Sequence, residues 1–106
     1  YQADPANEPL AFGGLTTIEK VYSFEPVPDQ LNTTEAKHIL GSQCNLWTEY
    51  ITTPEHLEYM AYPRAIALSE VNWSMKENRN WTDFVRRMKN QYPRLDLKKV
   101  NYRKDK

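Results

Sequence analysis

Apolar residues in the second half of the chain recur at intervals of three and four, the period of an amphipathic helix. Leu57, Met60, Ala61, Ala65, Leu68 and Val71 share one face with Arg64 and Asn72, while Tyr59, Tyr62, Ile66 and Trp73 cover a second. Thr53-Pro54 supplies an N-cap threonine and a proline at the first helical position, and Glu55 puts negative charge in the first turn. This pattern predicts a helix over 54–73, kinked at Pro63 and packed on two sides. A second helix is predicted from Asn80, with Trp81, Phe84, Val85, Met88 and Tyr92 on its inner face and Pro93 closing it. Its outer face is polar, with Arg86, Arg87, Lys89 and Asn90.

The first half is less periodic. Thr16-Thr17-Ile18-Glu19 fits a capping box, with Thr16 as N-cap and Glu19 reaching back, and Ile18, Val21 and Tyr22 continue a short helix that ends before Pro26. Residues 1–14, with Pro5, Pro9, Gly13 and Gly14, are predicted to form a long loop of the kind that borders a site. Residues 25–36 form a second loop, held out of helix by Pro26 and Pro28. The apolar, β-branched and aromatic run from Lys37 to Glu49 is the one convincing strand, with Gly41 and Ser42 marking a bend or close backbone approach. Residues 94–106 are predicted to be a weakly packed tail.

The predicted fold class is mostly α with little strand: about three helices and one short strand. The units are a strand-helix piece at about 37–74 and a terminal helix at about 80–92. One strand cannot satisfy its own ladder, so neighbours from elsewhere are expected. At 106 residues the chain allows one domain. Its opening Tyr-Gln-Ala-Asp, without an initiator methionine or a leader, carries the expectation that it is cut from something longer.

Composition removes several function classes. Fourteen acids balance fourteen bases, against the basic excess of a dedicated nucleic-acid binder. No apolar run approaches the ~20 residues of a membrane span. A single cysteine, Cys44, rules out an internal disulfide framework and is expected as a buried small residue of the strand. His38 and His56 lack ligand spacing, so neither a metal nor a cofactor is expected.

The acids contain no adjacent Asp-Glu pair. Glu19 and Glu55 fall in helical first turns, Glu35 in a loop, and Glu58 and Glu77 on solvent faces. Glu70, beside the apolar face, is expected to be a buried, paired acid that locks its helix. Asn32, Asn72 and Asn80 open triplets of the glycosylation-acceptor pattern, but Asn72 lies inside a predicted helix. Trp47 and Glu49 are two apart, so an extended backbone points both side chains to the same face. An indole plate beside a carboxylate suits a sugar: the plate offers apolar contact to a pyranose ring, and the acid accepts hydroxyls. The same pair can equally be a well-packed strand end.

Several blocks at fixed separations carry a wider resemblance: Leu46-Trp47-Thr48-Glu49, Pro54-Glu55-His56, Tyr62-Pro63-Arg64, and Ser69-Glu70-Val71 followed by Trp73. With them, the run from His38 to Trp73 resembles the last barrel strand and following helix of the family 20 glycoside hydrolases, the β-N-acetylhexosaminidases. Residues 1–14 and Glu19-Lys20-Val21-Tyr22 are also similar, especially to bacterial members; beyond about residue 78 the match is loose.

The resemblance implies a (β/α)₈ barrel, of which ~250 residues are typical and this chain would be the C-terminal part. It implies that Trp47 stacks beneath the N-acetylhexosamine and that Glu49 bonds hydroxyls at the sugar's far edge. It also implies substrate-assisted retaining hydrolysis, in which the acetamido oxygen attacks the anomeric carbon and an adjacent Asp-Glu pair orients it and supplies the general acid. That pair is absent, and so is the tyrosine–x–aspartate motif that holds the acetamido group, since Tyr1 is followed only by Asp4. Both are expected upstream. The chain alone is therefore expected to hold no catalytic residue, to be inactive, and to self-associate through uncovered apolar surface. Its expected partner, with the rest of a barrel, is an N-acetylhexosamine-containing glycan, and the parent is expected to be secreted, periplasmic or lysosomal. A small helical interaction module and a stand-alone sugar-binding module are the competing readings.

Overall fold

Helix α1 (Ile18–Tyr22) opens at Thr17, whose side chain accepts from the Lys20 N–H at 3.0 Å in this computed structural model, which describes Tyr1 and residues 4–104. The cap is thus one residue later than expected. Glu19 becomes the second helical residue and no longer sits where a capping box needs its acid. A complete box appears instead at α2 (Thr33–Ala36): Asn32 accepts from Thr34 and Glu35, and Glu35 accepts from the Asn32 N–H at 2.9 Å. This helix falls within the expected 25–36 loop, and Glu35 belongs to its first turn. Four residues are too few to display a hydrophobic period, although the Asn-x-x-Glu spacing was present as a signal.

The predicted long helix is two helices, α3 (Pro54–Ala61) and α4 (Arg64–Trp73). Thr53 caps α3 as expected, accepting from the His56 N–H at 3.1 Å. At Pro63 the chain breaks, rather than kinks, with Tyr62 extended (φ −100°, ψ 142°). Proline has no N–H to donate and drives the preceding residue out of the helical region. Arg64 repairs the junction by donating from both Nε and Nη2 to the Met60 carbonyl.

Helix α5 (Trp81–Leu97) follows a short 3₁₀ turn at Lys76–Asn78 and is capped by Asn80, which accepts from the Asp83 N–H at 2.9 Å. It passes through Pro93 instead of ending there. A mid-helix proline costs about 3 kcal/mol. Against that, Leu95 extends the Phe84–Met88–Tyr92 stripe and is buried, which returns about 1.5–3 kcal/mol. Lys99, with φ 56°, then closes a Schellman turn in which the Val100 N–H reaches the Leu95 carbonyl at 3.0 Å and the Lys99 N–H reaches Asp96 at 2.9 Å.

That turn sends the chain back across α3, so the expected fraying tail is ordered through residue 104. Asn101 donates to Glu58 from its backbone (2.7 Å) and to the Glu55 carbonyl from its side chain (2.9 Å), so Glu58 is not a free solvent-facing acid. Tyr102 is buried, stacks on Tyr92 and donates to Asp96. Residues 105–106 lie outside the described residues.

No strand is present among the described residues. The segment from Gly41 to Trp47 is irregular and runs beside α4, where Ser42 donates to the Asn72 carboxamide oxygen at 2.6 Å and Asn72 donates back to the Ser42 carbonyl at 3.1 Å. Gly41 has φ +153°, a conformation that favours glycine, and this is the expected bend. Cys44 is exposed, not buried, because no sheet surrounds it. A ladder needs a second strand, and the described residues do not supply one.

The core lies where α1, α4 and α5 meet: Tyr22, Ala67, Phe84 and Met88, with Ile18, Val21, Ile66, Trp81 and Tyr92 packed around them. The Phe84 ring stacks on Tyr22 at 4.5 Å and on Trp81 at 5.7 Å. Glu70 ties the three helices as the expected paired acid, although it is only partly buried. It accepts from the Tyr22 hydroxyl at 2.9 Å and from both Arg87 terminal nitrogens at 2.6 and 2.5 Å, while the Tyr22 oxygen accepts from the Asn80 N–H.

The bonds from Arg87 hold the Glu70 carboxyl below its ordinary range, outweighing the opposite push of burial. A carboxylate whose pKa is depressed by folding stabilises the fold above its unfolded pKa, and that stability is lost as pH falls through the folded value. Glu70→Gln is therefore expected to cost about 1–2 kcal/mol at pH 7, after discounting for the half-exposed Arg87. Thermal melts at pH 7 and pH 3 check this: the gap between variant and parent should close on acidification.

Candidate functional site

The radius of gyration, 15.4 Å, exceeds the about 13 Å of a closed domain of this length, and the excess comes with open apolar surface and clefts. One cleft, about 260 Å³, lies between the first loop, the segment after Leu46 and the helix junction at Pro63. Leu10 and Phe12 reach it from the loop, Trp47 and Tyr50 from the turn before α3, and His56, Met60 and Arg64 from α3 and α4. Tyr1 also lines it. A second cleft of about 280 Å³ adjoins it, sharing Met60 and Arg64, and is lined by Cys44, Leu46, Ala65 and Leu68.

The turn sequence explains the exposed aromatics. Thr48, Glu49 and Tyr50 bend the chain into the Thr53 cap, so Trp47 projects from the end of the extended segment rather than into the helical core, with 73% of its surface exposed. Phe12 meets Tyr50 edge-on at 5.2 Å. Gly14, with φ 107°, gives the first loop the reversal that leads to α1.

Trp47 thus lines the cleft, while Glu49 does not: it lies exposed on the turn beyond the indole. The common face expected of an extended Trp-x-Glu pair is lost because the backbone turns between the two residues. No carboxylate lines the cleft among the described residues. Nearby Glu8 is engaged by Tyr59 (2.8 Å) and Arg103 (2.9 Å). Burial pushes the Glu8 carboxyl up, but these two hydrogen bonds outweigh it and hold its pKa below the ordinary value.

His56 Nε2 is buried on the cleft wall without a hydrogen-bond partner among the described residues. Among the same residues no group of three His, Cys, Asp or Glu side chains could hold a metal ion. Among the described residues no helix is long and apolar enough to cross a membrane. Sequence reasoning placed the first loop at the border of a site but missed Leu10, Phe12, Tyr50 and His56 individually. Only their convergence in space distinguishes them from ordinary loop and cap residues.

The model of the glycosyl hydrolase family 20 catalytic domain matches residues 1–76. The chain belongs to this family. Among curated relatives, a β-hexosaminidase of Porphyromonas gingivalis is 42% identical over 102 residues, covering 96% of this chain and 13% of that protein. A β-hexosaminidase of Akkermansia muciniphila is 37% identical over 90 residues, covering 82% of this chain and 17% of its own length. The fold agrees with a solved family 20 structure, the exo-β-N-acetylglucosaminidase of Vibrio harveyi in complex with N-acetylglucosamine. That match has a TM-score of 0.74 at 42% identity and covers 82% of this chain and 14% of the other. The chain therefore spans less than a fifth of the relatives it matches.

Proposed function

We propose that this chain is the C-terminal part of the catalytic barrel of a β-N-acetylhexosaminidase and that it supplies part of the substrate-binding wall. The observation that carries the reading is Trp47, exposed on the wall of the cleft at the end of the Leu46-Trp47-Thr48-Glu49 block. In this reading the indole stacks against the apolar face of a terminal N-acetylhexosamine, and Glu49, beyond it on the turn, accepts hydroxyls at the ring's edge. The Asp-Glu pair that would orient the acetamido group and protonate the leaving oxygen belongs to a preceding segment of the parent protein. The chain binds and orients; the reaction, substrate-assisted and retaining, is completed elsewhere in the barrel.

Surface left bare in this chain supports the same reading. Leu40 is 97% exposed and Trp73 90%, although both belong to the apolar pattern. These are positions that neighbouring strand-helix units of a barrel would cover. Without those units the chain is expected to self-associate.

The test is a pair of assays with a chromogenic N-acetyl-β-glucosaminide. The parent protein is expected to hydrolyse it, and the isolated 106-residue chain to release no chromophore above buffer while sedimenting as an oligomer. Hydrolysis by the isolated chain would place catalytic groups inside it and refute the division of labour. An inactive parent would refute the reaction.

A further inference from the structure

The family match ends at residue 76, yet the last described residues return to the edge of the cleft. Arg103 Nε donates to Glu8 Oε1 at 2.9 Å, and its guanidinium carbon lies 4.3 Å from the centroid of the Tyr1 ring. The Arg103 N–H also donates to the Tyr62 carbonyl at 3.2 Å, at the α3–α4 break. The other Glu8 oxygen accepts from Tyr59 of α3 at 2.8 Å, so both oxygens are engaged by groups far away in sequence. Tyr1 is buried, edge-on to Tyr59 at 5.9 Å, with the Arg64 guanidinium carbon 4.0 Å from its centroid.

Glu8 is a strong anchor of the first loop. Its side chain is 9% exposed, whereas the neighbouring bonds from the Asn7 and Glu8 N–H groups to the Asp4 carbonyl are local to the turn. Two residues further on, Leu10 begins the part of the loop that lines the cleft, followed by Phe12. A charge-assisted bond at Glu8 therefore fixes the loop just before it becomes the cleft wall.

We propose that Arg103 is a positioning residue for the sugar cleft: through Glu8 and Tyr1 it holds the first loop so that the Leu10–Phe12 wall is set against Trp47. The inference rests on the proposed function for what the cleft binds, but not for how the loop is held. It makes the C-terminal segment beyond α5 part of the binding apparatus, although that segment carries none of the motif blocks.

The test uses the parent protein with Arg103→Ala, Arg103→Lys and Glu8→Gln, and with Arg87→Ala as a variant that loosens α5 elsewhere. Two readouts are taken: amide hydrogen exchange of peptides covering 8–14 without substrate, and KM and kcat with the chromogenic N-acetylglucosaminide. Arg103→Ala and Glu8→Gln are expected to accelerate exchange in 8–14 by about tenfold and to raise KM by a factor of about 3–10, with kcat within about twofold. Arg103→Lys, which keeps a charge within reach of Glu8, should recover most of both effects. Arg87→Ala should lower the melting temperature and leave both readouts near those of the parent.

Unchanged exchange in 8–14 would overturn the proposal whatever the kinetics show. Faster exchange with unchanged KM would reduce Arg103 to a structural tie and overturn its positioning role. Were Arg103→Ala not to fold, Glu8→Gln decides by the same two criteria. Loss of the sugar reading, seen as an inert parent, leaves the exchange result intact, so the two failures are distinguishable.

Discussion

Trp47→Ala in the parent protein is expected to lower kcat/KM for an N-acetylglucosaminide by between about thirty- and a hundredfold while leaving the melting temperature within a degree or two. The size follows from area. Covering about half of an indole's roughly 200 Å² with a pyranose face, at about 25 cal/mol per Å², amounts to about 2.5 kcal/mol. The unchanged stability follows from exposure, since Trp47 makes no part of the buried core and its removal opens no cavity there. Trp47→Phe should retain most of the activity, because a smaller ring still presents a flat apolar face. Steady-state kinetics beside differential scanning calorimetry separate the two effects. Near-normal kinetics in Trp47→Ala would remove the stacking role, and a large fall in melting temperature would show that the indole is a packing residue instead.

Phe84→Ala is expected to act in the opposite way, costing about 3–5 kcal/mol of stability and roughly 5–15 °C in melting temperature, with kinetics at 20 °C little changed. Phe84 is 1% exposed and stacked on both Tyr22 of α1 and Trp81 of α5, so truncation leaves a void that three helices must close over. Val85, the next residue on α5, is partly exposed, and Val85→Ala should cost less than about 1 kcal/mol. A melting temperature that Phe84→Ala leaves untouched would mean that α5 does not pack on α1 and α4 in the parent protein.

The helical elements were readable because their signals are local. Thr53-Pro54 sets a cap and a first turn whatever lies around it, and Asn80 with Asp83 does the same for α5. Glu70 was legible as a locking acid because a carboxylate beside an apolar face must find a partner, although which cation and which hydroxyl it finds depends on how α1 and α5 pack on α4. Local signals mislead where two of them compete or where the deciding partner is distant. Thr16 and Thr17 can both cap, and the one-residue choice depends on where α1 docks. Pro93 is a stop signal by itself, but Leu95 continues the apolar stripe and its burial carries the helix through. The strand expected over 37–49 has the composition of a buried strand and, among the described residues, no neighbour to pair with.

For this protein the sequence alone determined the caps of α3 and α5, an interruption at Pro63, the balance of charge and the motif blocks that mark family 20, because each depends on residues within a few positions of one another. Tertiary structure decided the rest: that Trp47 lines a cleft while Glu49 lies beyond it on a turn, that Phe12, Tyr50 and His56 join that wall, and that Arg103 returns from the far end to hold Glu8. Those facts rest on contacts between residues up to 95 positions apart, whose formation depends on the packing of the helices rather than on any local preference.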